Sequence, residues 1–428
     1  MNKSVLNRPK ILAPINDFTT LKAAIDAGCD EVYFGIKGFN MRATARNFTI
    51  QDLKKIVSIC HKSHVKAFLA LNIIIYDKEL KETEKIVKAA KDVGVDAIIC
   101  WDMSVIQLCI KYKIETHLST QNSISNYESI KFYKKNIPTL KRVVLARECS
   151  LEDIKSIIQK IKRNNLGVEI ETFIHGAMCV SVSGRCMLSH HLFGKSANHG
   201  ECLQPCRRNY RVYEQKSYKM SSSDSLDKDN EFLLGEDCII SPKDLCTLPF
   251  IDKLIDAGIS SFKIEGRNRN PEYVYTTVKA YREVIDYYIQ NGADKKFKEM
   301  KKRGLEKLKT VFNRGFSNGF YLGKPINEWS SPRTGEQTQK KLYVGKVMNY
   351  YPKMNVAEIL VEDNNLRKDD RIFIQGPTTG HYELIAQEMK DEEGFTDSAS
   401  KGMTIGLKID RKVRKNDQLY KVVDKNTE

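Results

Sequence analysis

Four cysteines fall within 28 residues of this 428-residue chain: Cys179, Cys186, Cys202 and Cys206, spaced Cys-x6-Cys-x15-Cys-x3-Cys. Thiols gathered so densely point to a metal, because each thiolate brings both a bond and a compensating negative charge. The spacing differs from the Cys-x2-Cys pairs of a zinc ribbon, although a four-thiolate zinc site stays open. An iron-sulfur cluster also takes four thiolates, and irregular spacing suits ligands on a loop folded around a bulky inorganic core. A pair of disulfides is the third reading, disfavoured in a reducing compartment. The other seven, Cys29, Cys60, Cys100, Cys109, Cys149, Cys238 and Cys246, are scattered, mostly in apolar patterns, and read as core thiols.

A second set of reactive residues sits at the ends of short apolar runs: Asn16, Asn72, Asp102, Gln121, Arg147, His175, Lys263, Glu265 and Arg267. Any one of them could simply cap a helix. Together they describe a polar mouth, if the runs are strands of one barrel. Lys263 and Glu265 alternate with Phe262 and Ile264, so a strand turns both charges to one face, the barrel interior, where charges need partners or a charged substrate. His175 precedes Gly176, where a tight turn can expose an imidazole for proton transfer or substrate contact; the alternative is a hydrogen-bonded structural histidine.

The elements that must position these residues are legible as eight strand candidates, 11–15, 31–36, 66–73, 97–101, 116–120, 142–146, 168–174 and 261–264, separated by segments of helical period. Ile25-Asp26-Ala27-Gly28, Lys91-Asp92-Val93-Gly94 and Ile255-Asp256-Ala257-Gly258 each precede a strand, as a left-handed helix cap would. The pattern predicts an α/β fold, a closed (β/α)8 TIM-like barrel over residues 9–315 with a cysteine-rich insertion at 177–236. No Gly-x-Gly-x-x-Gly follows the first strand, which argues against an open doubly wound sheet. Two helices should follow the last strand, over 270–290 and 295–313. Residues 316–340, rich in Gly, Ser and Pro, read as a linker, and short β-rich runs over 341–428 as a small all-β barrel.

Lys and Arg outnumber Asp and Glu by 70 to 54, a net charge of +16 that invites a polyanionic partner. Residues 341–428 carry 15 of each sign, so the excess lies in the first 340, concentrated at 181–220 and 295–315. Lysines spaced like Lys295, Lys298, Lys302 and Lys309 coat one helix side, as a solvated face or as an RNA-contacting surface with Arg207, Arg208 and Arg211. With 41% hydrophobic and 29% charged residues, long disorder and fibrous repeats are excluded. No apolar run reaches the roughly 18 to 20 residues of a membrane span, and the polar, basic start lacks a signal-peptide core, so a cytoplasmic protein is expected.

The run Glu171-Thr-Phe173-Ile-His175-Gly-Ala-Met-Cys179-Val-Ser-Val-Ser-Gly184-Arg185-Cys186-Met-Leu-Ser189 resembles the signature of the collagenase-like proteins of peptidase family U32. Further family-like stretches are His117-Leu-Ser-Thr-Gln121, Val144-Leu-Ala-Arg147-Glu148, Cys202-Leu-Gln-Pro-Cys206-Arg207 and Lys263-Ile-Glu265-Gly-Arg267. The resemblance implies a [4Fe-4S] cluster on Cys179, Cys186, Cys202 and Cys206, and it is strongest to the branch that makes 5-hydroxyuridine at the tRNA wobble position, linked to prephenate as cosubstrate. His175, Glu171, Arg147, Lys263 and Glu265 would then be catalytic, and Gln121, Arg185, Arg207 and Arg267 would bind substrate. tRNA would be the partner, with a paralogous partner subunit as a further expectation and no membrane. Two other readings stay open, a collagenase-like peptidase and an oxygen-independent hydroxylase of a small aromatic or ubiquinone precursor. Neither a His-Glu-x-x-His helix nor a Gly-x-Ser-x-Gly elbow supports the peptidase; Cys179 with His175 could form a thiol-imidazole pair.

Overall fold

The structure is a computed structural model that describes residues 8–43, 46–208, 210, 240–330 and 335–425. Arg211, Cys238 and most of the far half of the predicted insertion lie outside the described residues. Eight parallel strands close in sequence order: β1 (Lys10–Pro14), β2 (Glu31–Gly35), β3 (Lys66–Leu71), β4 (Ala97–Cys100), β5 (Glu115–Leu118), β6 (Leu140–Val144), β7 (Glu169–Gly176) and β9 (Ser261–Ile264). The ring is completed by β7 pairing with β9 and β9 with β1, both parallel. All eight were legible as apolar runs, and Gly28, Gly94 and Gly258 adopt φ near +80 to +90°, the left-handed caps their repeats predicted. Between β8 (Asp244–Cys246) and β10 (Phe316–Ser317) the wall gains an edge: β8 runs antiparallel to the end of β7, and β10 pairs parallel with β8.

Around the barrel lie α1 (Phe18–Asp26), α2 (Leu53–Lys62), α3 (Leu80–Val93), α4 (Met103–Tyr112), α5 (Tyr127–Asn136), α6 (Leu151–Arg163), α8 (Ile251–Asp256), α9 (Pro271–Asn291) and α10 (Lys295–Thr310). Outward side chains such as Val32, Phe34, Leu69, Ile98, Ile170 and Ile264 pack under the helices in the main core. The inward alternates form a smaller cluster of Leu12, Tyr33, Phe68, Ala70, Ala97 and Ile99. Among these apolar side chains the interior also holds Glu31, Arg142, Glu171 and Lys263, all buried and paired.

Residues 316–330 of the predicted linker are strapped to the barrel. Tyr321 Oη donates to the Phe173 carbonyl at 2.6 Å, the Leu151 amide donates to the Tyr321 carbonyl at 3.1 Å, and the Ser241 and Ser330 hydroxyls meet at 2.6 Å. Behind it, β11 (Gln339–Tyr351), β12 (Val356–Val361), β14 (Arg371–Gly376), β15 (Gly380–Ile385), β16 (Met389–Lys390), β18 (Thr404–Lys408) and β19 (Gln418–Asp424) form one seven-stranded antiparallel sheet around its own core, and β13 (Leu366–Arg367) pairs with β17 (Ser398–Ala399). This β region packs on the barrel where the Arg411 guanidinium reaches Asp26 and the rings of Tyr275 and His381 lie 5.0 Å apart. No helix among the described residues is long and apolar enough to cross a membrane.

Candidate active site at the mouth of the barrel

The loop after β7 folds back over the C-terminal ends of the strands, and its anchors are specific. The Ser183 amide and hydroxyl donate to Glu148 at 2.8 and 3.1 Å, Ala43 N donates to the Gly200 carbonyl at 3.0 Å, and Ile74 N to the Asn198 carbonyl at 3.1 Å. These ties bind the loop to the segments after β6, β2 and β3. Gly200 has φ +88°, and a Cβ there would stand 2.2 Å from the Asn40 carbonyl oxygen, so the close approach demands glycine. Arg207 clamps the far end: its Nη1 donates to Ser241 Oγ at 2.7 Å and to the Pro242 carbonyl, and its Nη2 to the Met178 carbonyl at 2.6 Å.

Beneath this cover lies a cavity of about 180 Å³ lined by all four clustered cysteines and by Arg147, Lys263, Glu265, Arg267, Arg207 and Gln121. Six of the strand-end residues, Asn72, Gln121, Arg147, Lys263, Glu265 and Arg267, thus meet the cysteine loop in one pocket, as the closure order requires. The ten described cysteines are free thiols, and Cys29, Cys60, Cys100, Cys109, Cys149 and Cys246 are buried core residues. Amides of Leu188 and Gln204 donate to the sulfurs of Cys186 and Cys202, each at 3.4 Å, and the Cys179 sulfur lies 3.0 Å from Ser181 Oγ. Among the described residues no three His, Cys, Asp or Glu side chains are drawn together to hold one ion. Burial pushes the Cys206 thiol up to about 11 and raises Cys202 too.

The polar wall is dominated by cations. Glu265 meets Arg42 Nη2 at 2.9 Å. Burial alone would raise its carboxyl, but Arg42, Arg147 and Arg267 overcome that and hold it at about 2. Arg147 lies over the Phe173 ring at 3.9 Å and donates to the Ala177 carbonyl at 2.7 Å. Arg267 donates through Nη1 to Asn40 Oδ1 at 2.7 Å, whereas its buried Nε has no hydrogen-bond partner among the described residues. Lys263 Nζ donates to Glu171 at 2.9 Å; burial lowers the ammonium's pKa and Glu171 opposes the shift. Gln121 donates to the Asn72 carbonyl at 3.2 Å.

Three predicted site residues stand elsewhere. Glu171 lies under the pocket, buried between Lys263 and Arg142, and is a supporting charge. Arg185 is on the exposed surface of the cysteine loop, donating to Ser123 Oγ at 2.9 Å. His175 is behind the wall. Strand alternation would carry Glu171, Phe173 and His175 to one face, but the register with β9 slips between Phe173 and His175. That bulge turns the imidazole out of the barrel against Tyr273, Tyr281 and Phe316. The thiol-imidazole pair with Cys179 is therefore not formed. Asn16 and Asp102 take the plain roles, Asn16 donating to the Arg267 and Arg269 carbonyls and Asp102 capping α4. The sequence reading missed Tyr33, Arg42, Arg269 and Arg314, which also line the cavity. Arg269 had a visible signal, since the alternation through Lys263, Glu265 and Arg267 continues to it.

Burial, with Arg269 adding to it, lowers His175 to about 3, so the imidazole is neutral at pH 7. Its folded value lies below the unfolded one, so the unfolded chain takes up the proton first as pH falls. Stability should be undiminished by this group above about pH 6.5 and decline between about 6.5 and 3, by at most ~1.4 kcal/mol per pH unit. Urea unfolding of wild type and His175→Gln from pH 7 to 4 should show the wild type losing stability faster. Parallel curves would mean that His175 titrates normally.

The sequence signature described as "Peptidase family U32" matches residues 16–331. The chain belongs to peptidase family U32. It is 42% identical over 423 residues to "Collagenase" of Porphyromonas gingivalis, covering 97% of this chain and 98% of that one. It is 34% identical over 426 residues to "tRNA hydroxylation protein P1" of Bacillus subtilis, covering 97% and 96%. A 23S rRNA 5-hydroxycytidine synthase of Escherichia coli is 36% identical over 288 residues, 67% of this chain and 41% of that one. These family relatives carry the names of enzymes, of two different kinds.

Proposed function

We propose that this U32 protein is a tRNA hydroxylase that makes 5-hydroxyuridine at the wobble position, with a [4Fe-4S] cluster on Cys179, Cys186, Cys202 and Cys206 and prephenate as cosubstrate. The observation that carries the reading is the convergence of four free thiols and a wall of cations on one cavity at the barrel mouth. The sulfurs of Cys186 and Cys202 already accept backbone hydrogen bonds, which would stabilise the negative charge of metal-bound thiolates. Four thiols spread around a roomy cavity fit a polynuclear core better than a lone tetrahedral ion, which needs sulfurs at about 2.3 Å from its centre. When bound, such a cluster supplies one-electron redox chemistry at the pocket wall.

The chain's own residues supply binding and charge. Arg147 and Arg267 both line the cavity and would hold a carboxylate, and the Nε of Arg267, without a hydrogen-bond partner among the described residues, is a donor that an anion would satisfy. Glu265, held ionised, keeps Arg42 oriented beside the cysteines. Tyr33 Oη, bonded to the Ile264 carbonyl at 2.9 Å, bounds the pocket floor with Lys263. An anticodon loop offers an unstacked base to such a mouth without the cost of opening a duplex. The peptidase reading draws support from the names of three relatives, two collagenases and a protease, but the burial of His175 away from Cys179 deprives the thiol of its base. A small-aromatic hydroxylase would use the same cluster without needing the chain's excess of positive charge.

Mass spectrometry of tRNA nucleosides from a strain lacking this gene and any close paralogue should show loss of 5-hydroxyuridine. Unchanged 5-hydroxyuridine would remove the tRNA reading. Arg267→Ala should raise the dissociation constant for prephenate roughly 10-fold or more, the scale of a lost charge-assisted pair. Unaltered affinity would place the carboxylate elsewhere.

A further inference from the structure

The rim of the pocket carries a surface that the reading above does not use. On the cysteine loop, α7 (Leu188–Phe193) ends in Phe193, which is 39% exposed, and the Arg208 guanidinium lies over its ring at 4.6 Å. Met187 and Leu203 are also exposed, and the Leu203 amide donates to Ser189 Oγ at 3.1 Å, which sets the segment before Arg208 alongside α7. Charge complementarity defines the occupant. Between residues 177 and 208 the sequence has one carboxylate, Glu201, which faces Lys195 at 3.4 Å. Among the described residues Arg185 and Arg208, both exposed, meet no carboxylate.

An aromatic ring stacked with a guanidinium, in a cationic surround, offers flat faces for unstacked bases and positive charge for their phosphates. We propose that Phe193 and Arg208 form a stacking platform for a nucleobase adjacent to the one that enters the pocket. The proposal rests on the RNA reading and adds to it how the strand is held. Leu188, at the other end of α7, lines the cavity, and six helical residues span only about 9 Å, so neighbouring nucleotides of one strand can reach both places.

The test is binding of a fluorescent anticodon stem-loop RNA to the anaerobically purified full chain across a salt series. Phe193→Leu, which keeps apolar area and removes the π face, should weaken binding roughly 10-fold, whereas Phe193→Trp should bind as well as wild type or better. Arg208→Gln should weaken binding and reduce the salt slope by about one. Equal affinities for Phe193→Leu and wild type, or equal losses for the Leu and Trp variants, would overturn the platform. So would a protein complex that Phe193→Leu breaks while leaving RNA affinity intact. The fate of the hydroxylase reading is read separately: a deletion strain that loses 5-hydroxyuridine, alongside wild-type RNA binding by Phe193→Leu, removes the platform and leaves the enzyme. A deletion strain that keeps 5-hydroxyuridine removes the enzyme reading, and the binding series alone then decides the platform.

Discussion

If the proposed cluster is present, anaerobically purified wild type is expected to be brown with iron and acid-labile sulfide, and replacing Cys206 or Cys179 with alanine is expected to remove most of both and to bleach the colour. Each thiolate would contribute one bond and one negative charge to the proposed cluster, and both residues line the same cavity, so three remaining ligands would leave a labile, solvent-open corner. Cys246→Ala is the informative control. That thiol is equally a cysteine of the barrel's upper wall, but it is buried behind β7 against Tyr281, 3.7 Å from its hydroxyl, and its loss should leave the iron content intact. Iron and sulfide analysis with absorption spectra decides the matter. Stoichiometric zinc without acid-labile sulfide would overturn the iron-sulfur assignment.

That Cys206 lines the cavity while Cys246 lies in the core was legible in the sequence. Clustered cysteines differ from scattered ones by spacing alone, and spacing survives folding because a loop keeps its residues together. The eight barrel strands were legible for a similar reason: each is an apolar run, several introduced by a glycine-capped helix end. By contrast β8 and β10, of three and two residues, are too short to show any period, and they exist because neighbouring backbone needs partners. His175 was misplaced by a single-residue bulge, which alternation cannot foresee.

Charge was the least legible feature. The lysine spacing of α10 did announce a solvated helix face, yet its location follows only from topology. α9 begins at the mouth after β9 and runs 21 residues away from it, about 30 Å, so the Lys295 end of α10 starts near the opposite end of the barrel from the pocket. Lys301 is engaged with Asp252 at 2.9 Å and Lys307 with Glu283 at 3.3 Å. The cations that do surround the site come from separate loops, Arg42, Arg147 and Arg314 singly and Arg267 with Arg269 after β9, and no single run in the sequence displays all five together.

The deepest of these charges carries the last expected result. Arg142→Leu should destabilise the barrel by about 3 to 5 kcal/mol, the scale for removing one partner of a buried ion cluster. Arg142 holds Glu31 at 2.6 and 2.8 Å through both Nη atoms, Glu169 at 2.7 Å and Glu171 at 3.1 Å. Without the guanidinium, Glu31 keeps only the Ser261 hydroxyl at 3.3 Å among its described side-chain partners, and a buried carboxylate cannot be left so poorly compensated. The pH dependence separates this cause from simple loss of packing. In the wild type, burial would raise the Glu171 carboxyl, but Lys263, Arg142 and His117 together hold it below its ordinary value. Its contribution is therefore present above the unfolded value of about 4.3 and is lost as pH falls through the folded one. In the variant Glu171 loses one of the cations that hold its carboxyl down and accepts a proton more readily, so the stability gap to wild type should narrow as pH drops from 7 toward 4. Glu31→Gln added to Arg142→Leu should recover part of the loss by removing the stranded charge. Urea unfolding of the three proteins at pH 7 and pH 4.5 tests both points. A gap below about 1 kcal/mol at pH 7, or one that does not shrink with acid, would mean that the interior charges are dispensable to the barrel. Because Glu171 is the shared partner of Arg142 and Lys263, removing the guanidinium would leave the ammonium at the pocket floor as its remaining ion-pair partner among the described residues, tying the stability of the barrel interior to the charge at its mouth.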